Sequence, residues 1–544
     1  MNGEQKEGLY WTPRGGNNAA DIWSSCHMFE SVVQNGQTGK TEKDKILVDV
    51  GQIESVRNFA DGKYDCAVPV LDDCLEIPGQ AAPAEGEKVQ AIFITHGHSD
   101  HINGLLEYAR MGVELPPVYA SPFTINMIME GFVSRRVDWD RMPELRPIGA
   151  GDKVTVGNMT VEALQAPHSI PGSLAFKISN PEASIFHSGD IKADPSSFLD
   201  KGLDEKALRR IGQDGGVDLM TFDATATHME GHARHEAEIC SAYEKLFREN
   251  GERQIIAPIS AAHMERLATV VAAAERAGKH VIIDGGPSMD RHILGLSYAE
   301  MHLDKMFSGI KVMTRQQAEQ ENISLEKTVT ITTGIYANPG DPFSQALKGE
   351  NDRFALREDA VIIAPLIGDR YEKLEKLIAE SPKTAKATLI TGREHPDLYG
   401  SGHAQKDDFR RIASCINPRN VAPIHCSEKM ADSLIQLCRE EGYSAFPRQT
   451  HNGETMRVSA KDGCEIVGYR APDWYGVKFF KRDDGVSMAK VEKAGDNGFS
   501  VIPAQEQAFE QKRREAERKI AEYRQKHKEP EVPALRLKKA SYGR

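Results

Sequence analysis

The sequence predicts an α/β protein built in layers, and three observations carry that expectation. Short strand signals crowd the first 227 residues, strand–helix alternation follows from about 228 to 400, and one early strand runs directly into a cluster of imidazoles and a carboxylate. In the first segment "KILVDVG", "VQAIFIT", "PPVYAS", "KVTVGNMTVEALQ", "SLAFKIS", "ASIFHSGD" and "VDLMTFDAT" are short β-branched or alternating runs bounded by turn residues, the pattern of strands. "INGLLEYARMG" is the clearest helical pattern among them. That balance predicts a β-rich layered α/β unit over residues 1–227. From 228 to 400, "RQIIAPIS", "AAHMERLATVVAAAERAG" and "KHVIIDGG", then "TVTITTG", "AVIIAPLI" and "YEKLEKLIAES", have the rhythm of a parallel βαβ domain. "NVAPIHCS" and "KMADSLIQLCREEGY" add a strand and a helix within 401–460. Residues 461–544 read as a C-terminal extension, with a solvated, charged helix near 505–528.

Composition narrows the function classes. Hydrophobic residues make up 40% and charged residues 27% of the 544, so most of the chain is expected to be globular. No apolar run approaches the roughly 18 residues of a membrane span, and the polar start "MNGEQKEGLYWTPRGG" lacks the shape of a secretory signal. The eight cysteines form no CxxC pair and read as reduced thiols, so the expectation is a cytoplasmic protein without membrane association. A net charge of −12 argues against coating nucleic acid along the whole surface, while leaving room for a local basic channel.

The chemistry concentrates in "AIFITHGHSDHINGLL", residues 91–106. A strand ending in His-x-His-x-Asp-His offers imidazole nitrogen and carboxylate oxygen from one loop, a donor set that suits zinc or manganese. Gly97 is expected to let the backbone turn so that His96 and His98 converge. Four donors are too many for one catalytic ion that keeps an open position. The natural reading is two ions, with His96 and His98 on one and Asp100 and His101 on the other. Further donors stand at strand ends: His168 in "QAPHSIPGS", Asp190 in "FHSGDIKAD" and His425 in "APIHCSE". A carboxylate between two cations can bridge them, which makes Asp190 the bridge candidate. Taken singly, each of these three also fits a structural histidine or a turn residue; together they follow the opening motif as a second half of the same site. Two ions about 3.5–4 Å apart can hold a hydroxide between them and lower the pKa of water toward neutrality. His403, in "YGSGHAQ", is the candidate general acid, with Asp223 orienting it. The small residues around it suggest close approach of a substrate backbone. "THMEGHARHE" carries His228, His232 and His235, read as a polar segment at the domain junction, not as a metal site.

Taken in order, "HGHSDH", "HSIPGS" and "HSGDIKAD" resemble the metal motifs of the metallo-β-lactamase fold, and "TFDATAT", "SGHA" and "PIHCSE" resemble the three further motifs of its β-CASP nuclease branch. The chain resembles most the bacterial ribonuclease J family, over roughly residues 10–455. The resemblance implies a metallo-β-lactamase αββα sandwich interrupted by a β-CASP domain. It implies His96, His98, His168 and Asp190 on one metal, and Asp100, His101, Asp190 and His425 on the other, with Asp100, Asp223 and His403 in catalysis. In that branch a histidine at the position of His425 accompanies enzymes acting on RNA. The expected cofactors are two divalent ions, zinc first and manganese second. The expected partner is single-stranded RNA, cut 5′-to-3′ with some internal cleavage, by a homodimer or homotetramer. Ser401, Gly402 and Ala404 would line the substrate. Ser260, read as opening a helix whose N–H groups receive an anion, would hold the RNA end. The alternatives are a related hydrolase of single-stranded DNA or another phosphodiester, and an inactive RNA-binding scaffold. The chain also departs from the family, with "TTGIYANPGDPF" in place of a shorter Gln-containing turn.

Overall fold

Two mixed sheets face one another. A computed structural model describes residues 5–17, 22–53, 64–350, 356–366, 370–384, 386–481, 487–493 and 499–500, with single residues between 514 and 525. The first sheet has eight strands in the order Gly463–Tyr469, Glu454–Ser459, Gly8–Gly15, Cys26–Gln34, Thr41–Val48, Ala91–Phe93, Val118–Ala120 and Leu145–Pro147. The second has seven: Ser444–Ala445, Asn420–Ile424, Leu219–Asp223, Ser184–His187, Leu174–Ser179, Met159–Gln165 and Lys153–Val156. Leu9, Trp11, Phe29, Val48 and Phe93 from one sheet meet Phe176, Ile185, Leu219 and Ile424 from the other in a shared core. Helices Ser99–Arg110 and Pro122–Ser134 cover the outside of the first sheet. Helices Glu205–Gln213, Lys406–Ile416 and Glu428–Glu440 cover the second. The arrangement is the αββα sandwich that the sequence implies.

Between residues 236 and 391 the chain leaves the sandwich and builds a separate six-stranded sheet, in the order Val312–Met313, His280–Ile283, Thr328–Thr333, Ile255–Ile259, Val361–Ala364 and Thr388–Thr391. Every pairing in it is parallel. Its strands are near-continuous apolar or β-branched runs because helices cover both faces. Helix Gly286–Tyr298 docks this insertion on the sandwich: a Cβ at Gly295 would lie 3.2 Å from Met127 Sδ and 3.3 Å from Phe123 Cε2.

Helix Pro122–Ser134 has no counterpart in the sequence reading. It is well signalled at its start, where Ser121 Oγ accepts from Thr124 N at 3.3 Å and Pro122 occupies the first turn. Its body hides it. Phe123, Ile125, Met127, Ile128, Met129 and Phe132 are all buried, so no polar face marks a helical period. The chain beyond residue 460 also differs from a plain extension. Gly463–Tyr469 continues the first sheet as an edge strand, and Trp474–Lys481 pairs with Cys66–Pro69 and Ser487–Lys493. The edge strand is mostly exposed, which blurs the alternation that would have announced it. The charged helix expected near 505–528 lies outside the described residues except for Arg514, Arg518, Lys519, Ala521, Glu522 and Gln525, which are helical.

A buried ionic network ties the insertion to the sandwich. Lys192 Nζ lies 3.0 Å from Asp194 Oδ2 and 3.2 Å from Glu236 Oε1. Glu236 also takes Arg266 Nε at 3.2 Å and Thr269 Oγ1 at 2.6 Å. Arg266 Nη1 donates onward to Leu398 O at 3.3 Å, close to the return of the chain. The two acids and two bases balance. Burial works against the Glu236 charge, but Arg266 and Lys192 hold its carboxyl well below the usual range. Removing one member leaves an uncompensated buried charge. Glu236→Ala is therefore expected to destabilise the chain by about 3–5 kcal/mol, read as a lowered denaturant midpoint at unchanged slope. A loss below about 1 kcal/mol, the range of a surface pair, would show the network to be solvated.

Candidate metal centre

The strand ends deliver the polar residues to one edge of the sandwich. Strands Ser184–His187, Leu219–Asp223 and Asn420–Ile424 run parallel and adjacent, with Thr221 opposite both His187 and Ala422. Their C-terminal ends place Asp190, Asp223 and His425 side by side. From the facing sheet, Ala91–Phe93 leads into His96, and helix Ser99–Arg110 begins with His98 at its N-cap and Asp100 in its first turn, where a carboxylate suits the helix dipole. His168 follows Met159–Gln165.

All seven expected donors come together. Asp190 Oδ2 is the hub, 3.8 Å from His96 Nε2, 3.5 Å from His101 Nε2, 3.7 Å from His168 Nε2 and 3.9 Å from His425 Nε2. His96 Nε2 and His98 Nδ1 are 2.9 Å apart, and His425 Nε2 is 3.3 Å from Asp100 Oδ2. Among the groups whose donor atoms lie together are His96 with His98 and His168, and Asp100 with His101 and His425; others bring in Asp190, Asp223 and His403. Asp190 reaches both of the first two groups.

The second nitrogen of each ring tests whether this cluster fits metal. His101 Nδ1 is held by Asp49 Oδ2 at 2.8 Å, His96 Nδ1 by Thr95 Oγ1 at 3.0 Å and His425 Nδ1 by Thr225 Oγ1 at 2.8 Å. His168 Nδ1 meets Gly402 O at 2.7 Å, and His98 Nε2 meets Ala262 O at 3.1 Å. Every imidazole is thus anchored by one nitrogen and turns the other toward the cluster, the outer-shell arrangement of a ligating histidine. His101 Nε2 and Asp190 Oδ1 are buried without a hydrogen-bond partner, a cost that a cation removes. The electrostatics agree. Burial disfavours protonation of His425, but Asp190, the hydrogen bond to Asp100, and Asp223 outweigh it and raise the ring to about 9. Burial likewise opposes protonation of His101, yet Asp190, Asp49 and Asp100 hold it well above its ordinary value. Burial lowers His96, His98 and His168. The carboxylates thus draw positive charge into a buried site, and the donors fit divalent metal.

Asp49, Thr95, Thr225 and the Gly402 and Ala262 carbonyls were not singled out in the sequence. Asp49 had a signal, an acidic residue ending the strand of "KILVDVG". It accepts from Thr95 N and Thr95 Oγ1, both at 2.8 Å, and from Ser25 Oγ at 3.2 Å. Asp49 and His425 both adopt left-handed backbone, at φ 61° and 53°, a strained choice for residues with a Cβ that clusters at functional sites.

Asp223 and His403 stand beside the metal donors as a dyad. His403 Nδ1 lies 2.8 Å from Asp223 Oδ2 and 3.9 Å from Asp190 Oδ2. Burial opposes its protonation, and the Asp223 carboxylate more than compensates, raising it above the ordinary imidazole value. With Nδ1 committed to Asp223, Nε2 is the nitrogen left to serve a substrate.

The remaining expectations fare unevenly. The chain bends at Gly97, without left-handed backbone, and His96 and His98 converge; a Cβ there would sit 3.1 Å from Met127 Cγ, so close packing adds to the need for glycine. Gly189 takes left-handed backbone, at φ 54°, where a Cβ would strike Thr95. Gly400 and Gly402 are half-buried and pack closely, since added Cβ atoms would come 2.6 Å from Ile239 Cδ1 and 2.9 Å from His168 Cε1. Ala404 is fully buried beneath the second sheet's helices and does not line a substrate path. Ser401 is half-buried and its Oγ accepts from His403 N at 3.0 Å, which fixes the loop. Ser260 does not open the helix. Helix Met264–Ala277 starts four residues later with His263 as its cap, and its leading N–H groups are engaged: Glu265 N donates to Ser169 O at 3.1 Å and Arg266 N to His263 Nδ1 at 3.1 Å. His232 lies exposed, 3.2 Å from Glu238, and His235 caps helix Glu236–Glu249.

Comparison with known proteins meets this geometry. A family model described as a beta-lactamase superfamily domain matches residues 67–283. One described as a Zn-dependent metallo-hydrolase RNA specificity domain matches 399–447, the segment that carries His403 and His425. Ribonuclease J of Pyrococcus abyssi is 27% identical over 369 residues, which cover 66% of this chain and 79% of that protein. Ribonuclease J of Sinorhizobium meliloti is 28% identical over 398 residues (72% and 67%), and that of Thermus thermophilus is 25% identical over 464 (80% and 77%). The chain is similar to ribonuclease J proteins over 66–80% of its length. The crystal structure of a protein of unknown function from Enterococcus faecalis V583 shares the fold, with a TM-score of 0.56 at 15% identity, covering 83% of this chain and all of that one. As in the ribonuclease J-like reading, the interrupted sandwich carries its polar cluster at the strand ends facing the insertion. Among the described residues no helix is long and apolar enough to cross a membrane.

Proposed function

We propose that this chain is a two-metal ribonuclease that hydrolyses phosphodiester bonds of single-stranded RNA, with zinc as its first metal and manganese as the alternative. The observation that carries the reading is the set of five imidazoles, each anchored at one nitrogen and turning the other into the cluster: those of His96, His101, His168 and His425 lie within 4 Å of Asp190, and that of His98 meets His96. His96, His98, His168 and Asp190 would hold one ion, and Asp100, His101, Asp190 and His425 the other. Divalent ions bound there supply Lewis acidity and lower the pKa of water toward neutrality. The chain's own residues do the rest. Water oxygen bonds to phosphorus as the bond from phosphorus to the 3′-oxygen breaks, and the proton that the water sheds passes to solvent, from which His403 is later recharged. The 3′-oxygen takes its proton from His403 Nε2, and Asp223 holds the imidazolium charge and its orientation. The intact donor set distinguishes this reading from an inactive scaffold.

Chelation should abolish RNA cleavage, and zinc or manganese should restore it with about two ions bound per chain. A single-stranded DNA of the same sequence should survive. Cleavage by fully chelated protein, or equal cutting of DNA, overturns the reading. The eight free cysteines, seven of them buried, support a reducing, cytoplasmic setting. A homodimer or homotetramer is part of the proposal and is read by light scattering.

The direction of attack rests on the resemblance. With the helix N-terminus engaged, the hydroxyls of Ser260 and Ser401 are the donors offered to an RNA end. Such a pocket takes a monophosphate better than a triphosphate, whose charge and bulk exceed it. We expect 5′-to-3′ release of mononucleotides, faster from 5′-monophosphate than from 5′-triphosphate RNA, with slower internal cuts. Equal rates yielding only internal fragments would leave a plain endonuclease.

A further inference from the structure

Trp23 stands exposed at the edge of the metal cluster. Its indole lies 5.9 Å from the His425 ring, at 89° to it, and the residue keeps 51% of its surface open. An indole half exposed beside the cluster presents an apolar ring to whatever is bound there. Its position is built into the site. Immediately after it, Ser25 N donates to Asp100 O at 2.8 Å and Ser25 Oγ to Asp49 Oδ2 at 3.2 Å. Gly51 N donates back to Ser25 O at 2.8 Å. On the other side, Asn17 Oδ1 accepts from His425 N at 3.0 Å, and Asn17 Nδ2 donates to Pro423 O at 3.1 Å. Asn17 and Ser25, on either side of Trp23 in the sequence, are therefore both held against the residues that carry the donor cluster.

We propose that Trp23 is a stacking platform for a nucleobase flanking the scissile phosphate. The inference rests on the ribonuclease reading and names a substrate-positioning residue within it. Single-stranded nucleic acid exposes its bases, and an aromatic face takes any of them without reading hydrogen bonds. An aromatic beside His425 engages the base while the adjoining phosphate lies at the donors. Contact with the base, and not with the reacting atoms, predicts a change in KM with little change in kcat.

The sequence supplies a clean readout. The chain has four tryptophans, and Trp11, Trp139 and Trp474 are buried at 0%, 3% and 8% exposure. In full-length, metal-loaded His403→Ala protein, which turns over slowly, titration with a ten-nucleotide RNA should quench tryptophan emission saturably. Adding Trp23→Phe should abolish the quench while keeping binding within a few-fold. In the otherwise unaltered enzyme, Trp23→Ala should raise KM roughly 5- to 150-fold, the loss of one base–aromatic stack, and Trp23→Phe should recover most of it. The decisive arm leaves the protein untouched: an RNA abasic at one of the two nucleotides flanking the cut should lose the same factor with wild type and nothing further with Trp23→Ala. An unchanged KM for Trp23→Ala, or abasic losses of equal size in both proteins, overturns the stacking role. If wild-type holoenzyme fails to cut RNA at all, the ribonuclease reading fails instead, and the two failures are told apart in the same assay.

Discussion

His98→Ala and Asp190→Asn are each expected to abolish RNA hydrolysis and to release metal. The reason is geometric. His98 Nδ1 sits 2.9 Å from His96 Nε2, so its loss opens one ligand set, while the His98 ring's other nitrogen already serves Ala262 O. Asp190 Oδ2 lies within 4 Å of four donor imidazoles, and its replacement by an amide removes the charge that both sets share. Asn at this position keeps the shape, so its effect isolates the charge. The check is metal content of the purified protein beside cleavage of labelled RNA. Asp190→Asn protein that retained its full metal complement and activity would show that the bridge lies elsewhere.

His403→Ala is expected to behave differently, keeping the metal while turnover falls by roughly the 10²–10⁴-fold of a missing general acid. If it shed metal as His98→Ala does, the division between donors and proton donor would be wrong. The pH profile gives an independent test. His403 must carry a proton to act, so activity is present below its pKa and lost as pH rises through it. Asp223, 2.8 Å away, raises that pKa. Asp223→Asn deletes the raising charge and leaves the burial that lowers it. The alkaline limb of kcat should therefore move to lower pH, by a unit or more if the pair behaves as a buried charge pair. An unmoved limb would assign it to another group.

The donors were legible because each stands where local sequence announces it: after an apolar run, beside a glycine or proline, in a short loop. "HGHSDH" can be read without any fold. The residues that orient those donors were not legible. Gly402 and Ala262 act through carbonyl oxygens, which every residue possesses, and Thr95 and Thr225 read as ordinary strand-end threonines. The Lys192–Asp194–Glu236–Arg266 network joins residues up to 74 positions apart. Each alone looks like a surface charge. Ser260 and Ala404 were misplaced for the converse reason. A strand followed by a helical pattern does not reveal where the helix cap falls, and a small residue does not reveal whether it faces substrate or core.

The sequence by itself determined the fold class, the strand–helix rhythm of residues 228–400 and a donor set suited to divalent metal, because periodicity and donor type are local properties of the chain. Tertiary structure decided which nitrogen of each histidine is free. That choice is made by a hydrogen bond to the opposite nitrogen, and for His168 the partner is the carbonyl of Gly402, 234 residues along the chain. It also decided that Trp23, an unremarkable residue in a polar loop, stands beside His425. Burial, charge and proximity arise only when distant strands close on one edge of the sandwich, and those are the quantities that turn a set of donors into a site.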